Sequence, residues 1–372
     1  MNRSDVIVVG AGLVGLAAAR RLADGGASVL VVESTRVGAE ASSAAAGMLA
    51  PQAEGEADSP LLPLALRARD YHIELAPILE GETGMSLGLS QRGSFDVAFT
   101  LEDEVALRTR LAWQQARGLP IEALTAEEIR DAEPNLSPSV RFGLYLAGDR
   151  RIDNALLVRA MAASAVAKGA AILVGRPVTG LAIADGRLAG VRAGNETLRA
   201  PAVINATGAW AGLLGGDPWP PAVEPVRGQL ISFDVAPPLL RHVIASRRGY
   251  LVPRADGRLL AGSTSERAGF DKSVTAGGMR YVLDVALEIA PALADHRIAD
   301  AWAGLRPATP DGLPFIGPGA LPGLFHACGL FRNGILLGPL VGELVADLVL
   351  GRRLPVDLTP FSPSRFAPAR TE

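Results

Sequence analysis

Two groups of residues in the 372-residue sequence could do chemistry: a glycine cluster near the start and an arginine near the end. Gly10-Ala11-Gly12-Leu13-Val14-Gly15 has the spacing G-x-G-x-x-G. Gly10 allows a tight turn, Gly12 lets a pyrophosphate approach the backbone, and Gly15 lets the following helix pack closely on the preceding strand. A helix starting there offers free N–H groups and the positive end of its dipole to phosphates. Glu33, eighteen residues beyond Gly15, is placed to accept hydrogen bonds from an adenosine ribose. A 2′-phosphate would clash with it, which disfavours NADP. Arg306 follows the apolar run Ala301–Leu305, an unnatural place for a solvated side chain. A planar guanidinium grips a carboxylate through two parallel hydrogen bonds. The same residue could instead pair with a local acid such as Asp311.

These residues need particular elements around them. Val6–Val9 reads as a parallel strand buried on both faces, Leu16–Ala23 as a helix ended by Gly25-Gly26, and Ser28–Val32 as a second buried strand closed by Glu33. Together they form a βαβ unit with the glycine motif at its first turn. The tract Ala41–Met48 is almost all Ala, Ser and Gly. Such a tract lets an extended ligand pass close to the chain, although its composition also fits a flexible linker. Ala202–Asn205 reads as a late buried strand ending in the turn Ala206-Thr207-Gly208, which a dinucleotide fold returns beside its first strand. Ser94–Phe99, Phe142–Leu146, Val226–Asp234 and Gly249–Ser263 are antiparallel strand candidates, the last with a hairpin turn at Asp256-Gly257. Leu101–Arg117 and Gly278–Ile289 have helical periodicity. Pro218–Pro225 and Pro307–Pro318 read as crossings between domains.

Composition removes other classes. A net charge of −3 and a pI near 5.9 give no basic surface for nucleic acid or an anionic membrane. Of the 36 basic residues only Lys168 and Lys272 are lysine. Cys328 is the single cysteine, so an internal disulfide is excluded and a small buried thiol is expected. His72, His242, His296 and His326 have no ligand spacing, and no metal is expected. Gly334–Leu350 is apolar, but Pro339, Glu343 and Asp347 make it a buried helix rather than a membrane span. With no targeting segment before Val6, the expected location is the cytoplasm.

Further motifs complete a pattern: Ser42–Leu49, Ala206-Thr207-Gly208-Ala209-Trp210, Gly249–Arg254, Trp302-Ala303-Gly304-Leu305-Arg306-Pro307 and Phe331–Leu337. With Gly10–Gly15 and Glu33 they resemble the FAD-dependent amine and D-amino-acid oxidases, and within them the glycine oxidases of the thiamine pathway. The resemblance implies an α/β fold: a Rossmann-like FAD-binding domain interleaved with an α+β substrate domain on an antiparallel sheet. The FAD domain would comprise 1–88, 147–222 and 303–372, and the substrate domain 89–146 and 223–302.

The resemblance also implies roles. Arg306, Tyr250 and Arg332 would contact substrate, Arg332 through its side chain or its backbone. Met48 would border the pocket. Residue types alone leave Tyr250 open as a core aromatic and Met48 as plain packing. Cofactor contacts are implied for Gly10, Gly12, Leu13, Val14, Gly15, Glu33 and Ser34; for Ala41, Ser42, Ala46, Gly47 and Met48; for Val178, Thr207 and Gly208; and for Leu330, Phe331, Arg332, Asn333, Gly334, Ile335 and Leu336. The helix opened by Asn333-Gly334 would aim its N-terminus at the flavin pyrimidine ring, and pack as an apolar helix besides. Some relatives attach flavin to a cysteine near Trp302–Arg306. None is present here, so FAD is expected to be noncovalent.

The implied reaction is oxidative deamination of glycine, sarcosine or small D-amino acids by hydride transfer to flavin N5. The imine would hydrolyse to an oxo acid and ammonia, and O₂ would yield H₂O₂. No residue is assigned as general base. Family members often form homo-oligomers, so one is among the expectations. Three rival readings remain: a D-amino-acid or N-methyl-amino-acid dehydrogenase passing electrons to a quinone, a flavin monooxygenase, and an FAD-binding subunit of a hetero-complex.

Overall fold

The computed structural model describes residues 4–366; the outer limits 1 and 372 of the expected FAD domain lie outside them. Val6–Val9 is fully buried and pairs in parallel with Val29–Val32 on one side and Ala202–Asn205 on the other. These β-branched runs lie at the middle of a six-stranded sheet in the order Phe315–Pro318, Leu324–Cys328, Ala202–Asn205, Val6–Val9, Val29–Val32, Ala171–Leu173. Only Phe315–Pro318 is antiparallel to its neighbour. Burial of each valine side chain contributes on the order of 1.5 kcal/mol or more, and both faces are covered.

One face carries four helices, Leu13–Asp24, Leu61–Thr83, Asn154–Ala167 and Gly334–Val349, whose apolar residues merge into one core. The other face is covered by a three-stranded meander, Val178–Ala184, Arg187–Ala193 and Glu196–Arg199, through Leu181, Val191 and Leu198. The meander was not expected from the sequence, although Asp185-Gly186, both at positive φ, is its hairpin turn. The helix Leu61–Thr83 was also missed, since Pro63 and Pro77 interrupt its pattern.

The second sheet has eight strands in the order Ile298–Ala308, Glu224–Asp234, Arg258–Gly262, Tyr250–Pro253, Val243–Ala245, Ser94–Ala98, Phe142–Leu146, Glu122–Thr125. All pairs are antiparallel except Val243–Ala245 with Ser94–Ala98. The helix Ala276–Ile289 packs Val282, Val285, Ala286 and Ile289 against it. The antiparallel strand expectations hold within two residues, with Gly249–Ser263 resolved into two strands. The proline-rich crossings hold in their middles, since residues 218–223 lead into the eight-stranded sheet and 309–314 lead back to the six-stranded one, but their ends lie in strands. Pro225 and Pro307 face each other inside the long ladder of Glu224–Asp234 with Ile298–Ala308, and Phe315–Pro318 is an edge strand. Each proline sits near a strand end, where a missing N–H is tolerated.

Candidate active site

The first turn is built around contacts that only glycine permits. Gly10 has φ +102°, and a Cβ there would lie 2.6 Å from the Ala206 carbonyl oxygen. Gly15 is pressed onto the Gly10 carbonyl, which brings the helix Leu13–Asp24 close to its strand. The Ala11 N–H donates to Glu33 Oε2 at 2.9 Å, while Oε1 accepts from Ser34 Oγ and Thr35 N–H, each at 3.0 Å. The carboxylate is thereby fixed at the tip of the second strand.

A second helix N-terminus converges on the same place. The helix Gly334–Val349 starts after Asn333 with no side-chain cap. It crosses the first helix closely, since a Cβ on Gly342 would lie 2.6 Å from the Ala17 Cβ. His72 Nε2, fully buried, donates to the carbonyls of Ile335 and Leu336 at 3.0 and 3.1 Å. Burial lowers the His72 pKa to about 4, which keeps the ring neutral and able to anchor that first turn.

One continuous cavity of about 470 Å³ joins the glycine turn, the start of the last helix and the eight-stranded sheet. Of the residues expected to hold cofactor or substrate, all but Gly15 and Leu336 line it. Gly15 acts behind the wall, as its packing requires, and Leu336 is buried in the core at 1% exposure.

The tract Ala41–Met48 is an ordered wall rather than a linker. Asn154 Nδ2 donates to the carbonyls of Ser42 and Ser43 at 2.9 and 3.1 Å. Trp302 Nε1 donates to the Ala44 carbonyl at 2.9 Å, and Arg254 Nη2 donates to the Ala46 carbonyl at 3.0 Å. Ser42 Oγ accepts from the Leu13 N–H at 3.1 Å. Sequence reasoning missed Asn154 and Arg254. Only Arg254 carried a signal, as the last residue of the Gly249–Arg254 motif.

Arg306 faces the cavity from the strand Ile298–Ala308. Its Nη1 donates to the Thr264 carbonyl at 3.0 Å and its Nη2 to Ser263 Oγ at 2.6 Å. No carboxylate pairs with it among the described residues. Asp311, the alternative partner, is held by Arg365 at 2.7 and 3.1 Å. Tyr250 lies three strands away in the sheet with its ring over Gly262. Met48, Tyr250 and Trp302 pack around Leu230, and of these four all but Trp302 line the cavity. The Arg332 side chain, half exposed, pairs with Glu54 at 2.6 Å. Glu54 was not foreseen; it lines the cavity and holds the Arg332 guanidinium more firmly protonated. Phe331 has φ +45°, a strained backbone of the kind that clusters at functional sites. Cys328 lines the cavity with its thiol pKa pushed up by burial, so it is an inert neutral group.

These residues fit a flavin dinucleotide. Glycines sit where a Cβ would fill the cradle, two helix N-termini whose N-cap residues offer no capping side chain face the cavity, and a fixed acid ends the second strand. The family model "FAD dependent oxidoreductase" matches residues 5–348. The glycine oxidase of Geobacillus kaustophilus (strain HTA426) is 37% identical over 98% of this chain and 97% of its own. Its kind is matched in three dimensions too: a crystal structure of glycine oxidase from Geobacillus kaustophilus superposes with a TM-score of 0.94 at 36% identity, covering 98% of this chain and 99% of that one. The bifunctional protein ThiO/ThiG of Synechocystis sp. (strain ATCC 27184 / PCC 6803 / Kazusa) is 36% identical over 98% of this chain and 54% of its own. No helix among the described residues is long and apolar enough to cross a membrane. Sequence, fold and cavity agree that this chain belongs to the DAO family of FAD-dependent oxidoreductases, as an enzyme of the amino-acid oxidase type.

Proposed function

We propose that this enzyme oxidises glycine, and with it sarcosine and small D-amino acids, releasing an imine that hydrolyses to an oxo acid and ammonia while O₂ becomes H₂O₂. The observation that carries the reading is Arg306. It is a guanidinium in the cavity wall whose only partners among the described residues are a carbonyl and a hydroxyl. Two of its five N–H groups are used there, which leaves donors for a substrate carboxylate.

Bound FAD supplies the two-electron acceptor and the link to O₂. The protein's part is orientation. A carboxylate held by Arg306 and the Tyr250 hydroxyl fixes the substrate Cα, and the apolar side chains of Met48 and Leu230 keep water away from it. A small substrate suits the side of the cavity that Met48 borders. The substrate amine must be neutral for its lone pair to assist; solvent can remove that proton, so no side chain is assigned as base. The cofactor and substrate roles expected for the cavity residues are part of this proposal, as is noncovalent FAD. So is a role in the thiazole branch of thiamine biosynthesis, which the likeness to a ThiO/ThiG protein supports. We also take the chain as two domains with the expected limits, save that the substrate domain runs on past 302 to the end of its strand at Ala308. The six-stranded sheet draws all its strands from the first set of segments, while the strand Ile298–Ala308 of the other sheet runs unbroken across position 302.

The test is H₂O₂ production from glycine by the purified holoenzyme, with Arg306→Ala alongside. Loss of a charge-assisted bidentate contact costs about 3 kcal/mol, roughly a hundredfold in kcat/KM. A folded, yellow Arg306→Ala protein with unchanged glycine kinetics would overturn the assignment.

A further inference from the structure

Arg254 is a buried charge without a counter-ion among the described residues. It is 5% exposed, beside the end of the strand Tyr250–Pro253. Its Nη1 donates to the Ile152 carbonyl at 2.7 Å, and its Nη2 to the Ala46 carbonyl at 3.0 Å and Asn154 Oδ1 at 2.6 Å. Its Nε, also buried, has no hydrogen-bond partner among the described residues. No acid comes within ion-pair distance among the described residues. The neighbouring Asp153 accepts the Leu156 N–H at 3.0 Å and lies 3.7 Å from Arg258, which in turn pairs with Asp256 at 2.7 Å. Burial lowers the Arg254 pKa only to about 10, so the group stays charged at neutral pH.

Desolvating a cation costs several kcal/mol unless an anion compensates it. Three neutral acceptors do not require a charge; uncharged N–H and O–H donors satisfy such groups as well. The charge is therefore surplus to holding the carbonyls, and its position indicates its use. Ala46 and Gly47 line the cavity. A Cβ on Gly47 would lie 3.1 and 3.3 Å from the two Nη atoms, so the guanidinium is a single backbone layer behind the wall. In that dry setting its field is weakly screened.

We propose that Arg254 is a positioning residue for the cofactor: it holds the Ala46–Met48 wall in shape and, as a buried cation behind it, favours the electron-rich reduced form of FAD. The inference rests on the reading above that Ala46, Gly47 and Met48 contact the cofactor. Asn154 belongs to the same device, since it accepts from Arg254 and donates to Ser42 and Ser43.

The experiment compares wild type, Arg254→Lys and Arg254→Met. FAD affinity is read by titration of the apoproteins, and the flavin midpoint potential of the holoproteins by dye equilibration. Arg254→Met is expected to bind FAD at least tenfold more weakly. At a fixed potential its ratio of reduced to oxidised flavin should fall at least tenfold, about 30 mV for a two-electron couple. Arg254→Lys, which keeps the charge and loses the planar fork, should recover the potential but not the affinity. An Arg254→Met holoprotein with the wild-type potential overturns the proposal. Should Arg254→Met not fold, Asn154→Asp places an acid beside the guanidinium; it must lower the reduced fraction in the same direction, and an unchanged potential is equally fatal. Failure of the wild-type apoprotein to take up FAD would strike the cofactor site itself, a separate result.

Discussion

Arg306 and Gly228 lie on adjacent strands, and the guanidinium of one occupies the space where a Cβ of the other would be. The ladder places Gly228 opposite Gly304, whose own missing Cβ admits Ala44 at 2.6 Å. This cross-strand glycine pair lets one arginine lie flat and the small-residue tract come close. Gly228→Ala should push the guanidinium out of line. Steady-state kinetics with glycine are expected to show kcat/KM lower by about tenfold or more, since small misplacements of a positioning group are costly. The thermal midpoint should change little.

Glu33 is predicted to act through both of its oxygens. Glu33→Ala leaves the Ala11 N–H without its buried acceptor and removes the group set for a ribose. The expected cost is about 1.5–3 kcal/mol, a ten- to hundredfold weaker FAD dissociation constant, read by flavin fluorescence on titrating the apoprotein.

Gly342 tests the convergence of the two helix N-termini. Gly342→Val must separate the last helix from Val14 and Ala17, whose atoms would lie 2.5 and 2.6 Å from the first added carbon. Overpacking of this kind costs about 1–3 kcal/mol. Urea unfolding should show it, together with weaker FAD retention, because both helix ends at the cavity move.

Asp149 makes a prediction about pH. It is fully buried, and desolvation raises its pKa to about 7 against the opposing hydrogen bonds from Ser94 Oγ and the Gln52 N–H. The folded chain therefore holds a proton that the unfolded chain loses at about pH 4. The stability this lends is complete below the ordinary carboxylate range and is lost as pH rises through about 7. Wild type should lose stability relative to Asp149→Asn between about pH 4 and 7, by on the order of a few kcal/mol, and change little above that. Denaturant midpoints of the two proteins across that range check the slope.

The legible parts of the molecule were those where local pattern and tertiary demand coincide. Val6–Val9, the glycine turn and Glu33 announce themselves because a doubly buried strand and a tight phosphate turn each need one narrow set of residues. Arg306 was legible as an arginine in an apolar run. Its freedom from Asp311 was not, because the competing partner Arg365 is 54 residues further along. Arg254 and Asn154 were hidden for the same reason: their work is done on carbonyls that any sequence would supply. Glu54 lies in a stretch without regular structure and meets Arg332 only through the fold. The helix Leu61–Thr83 was obscured by prolines whose disruption the surrounding packing overrides.

The central claim is that glycine, held by Arg306, gives up two electrons to FAD in this cavity. Anaerobic mixing of the holoenzyme with glycine tests it most directly. The yellow absorbance is expected to bleach with wild type, to return on admission of air with one H₂O₂ per flavin, and to persist with Arg306→Ala at the same glycine concentration. Wild-type flavin that stays yellow with glycine, sarcosine and D-alanine alike would contradict the account.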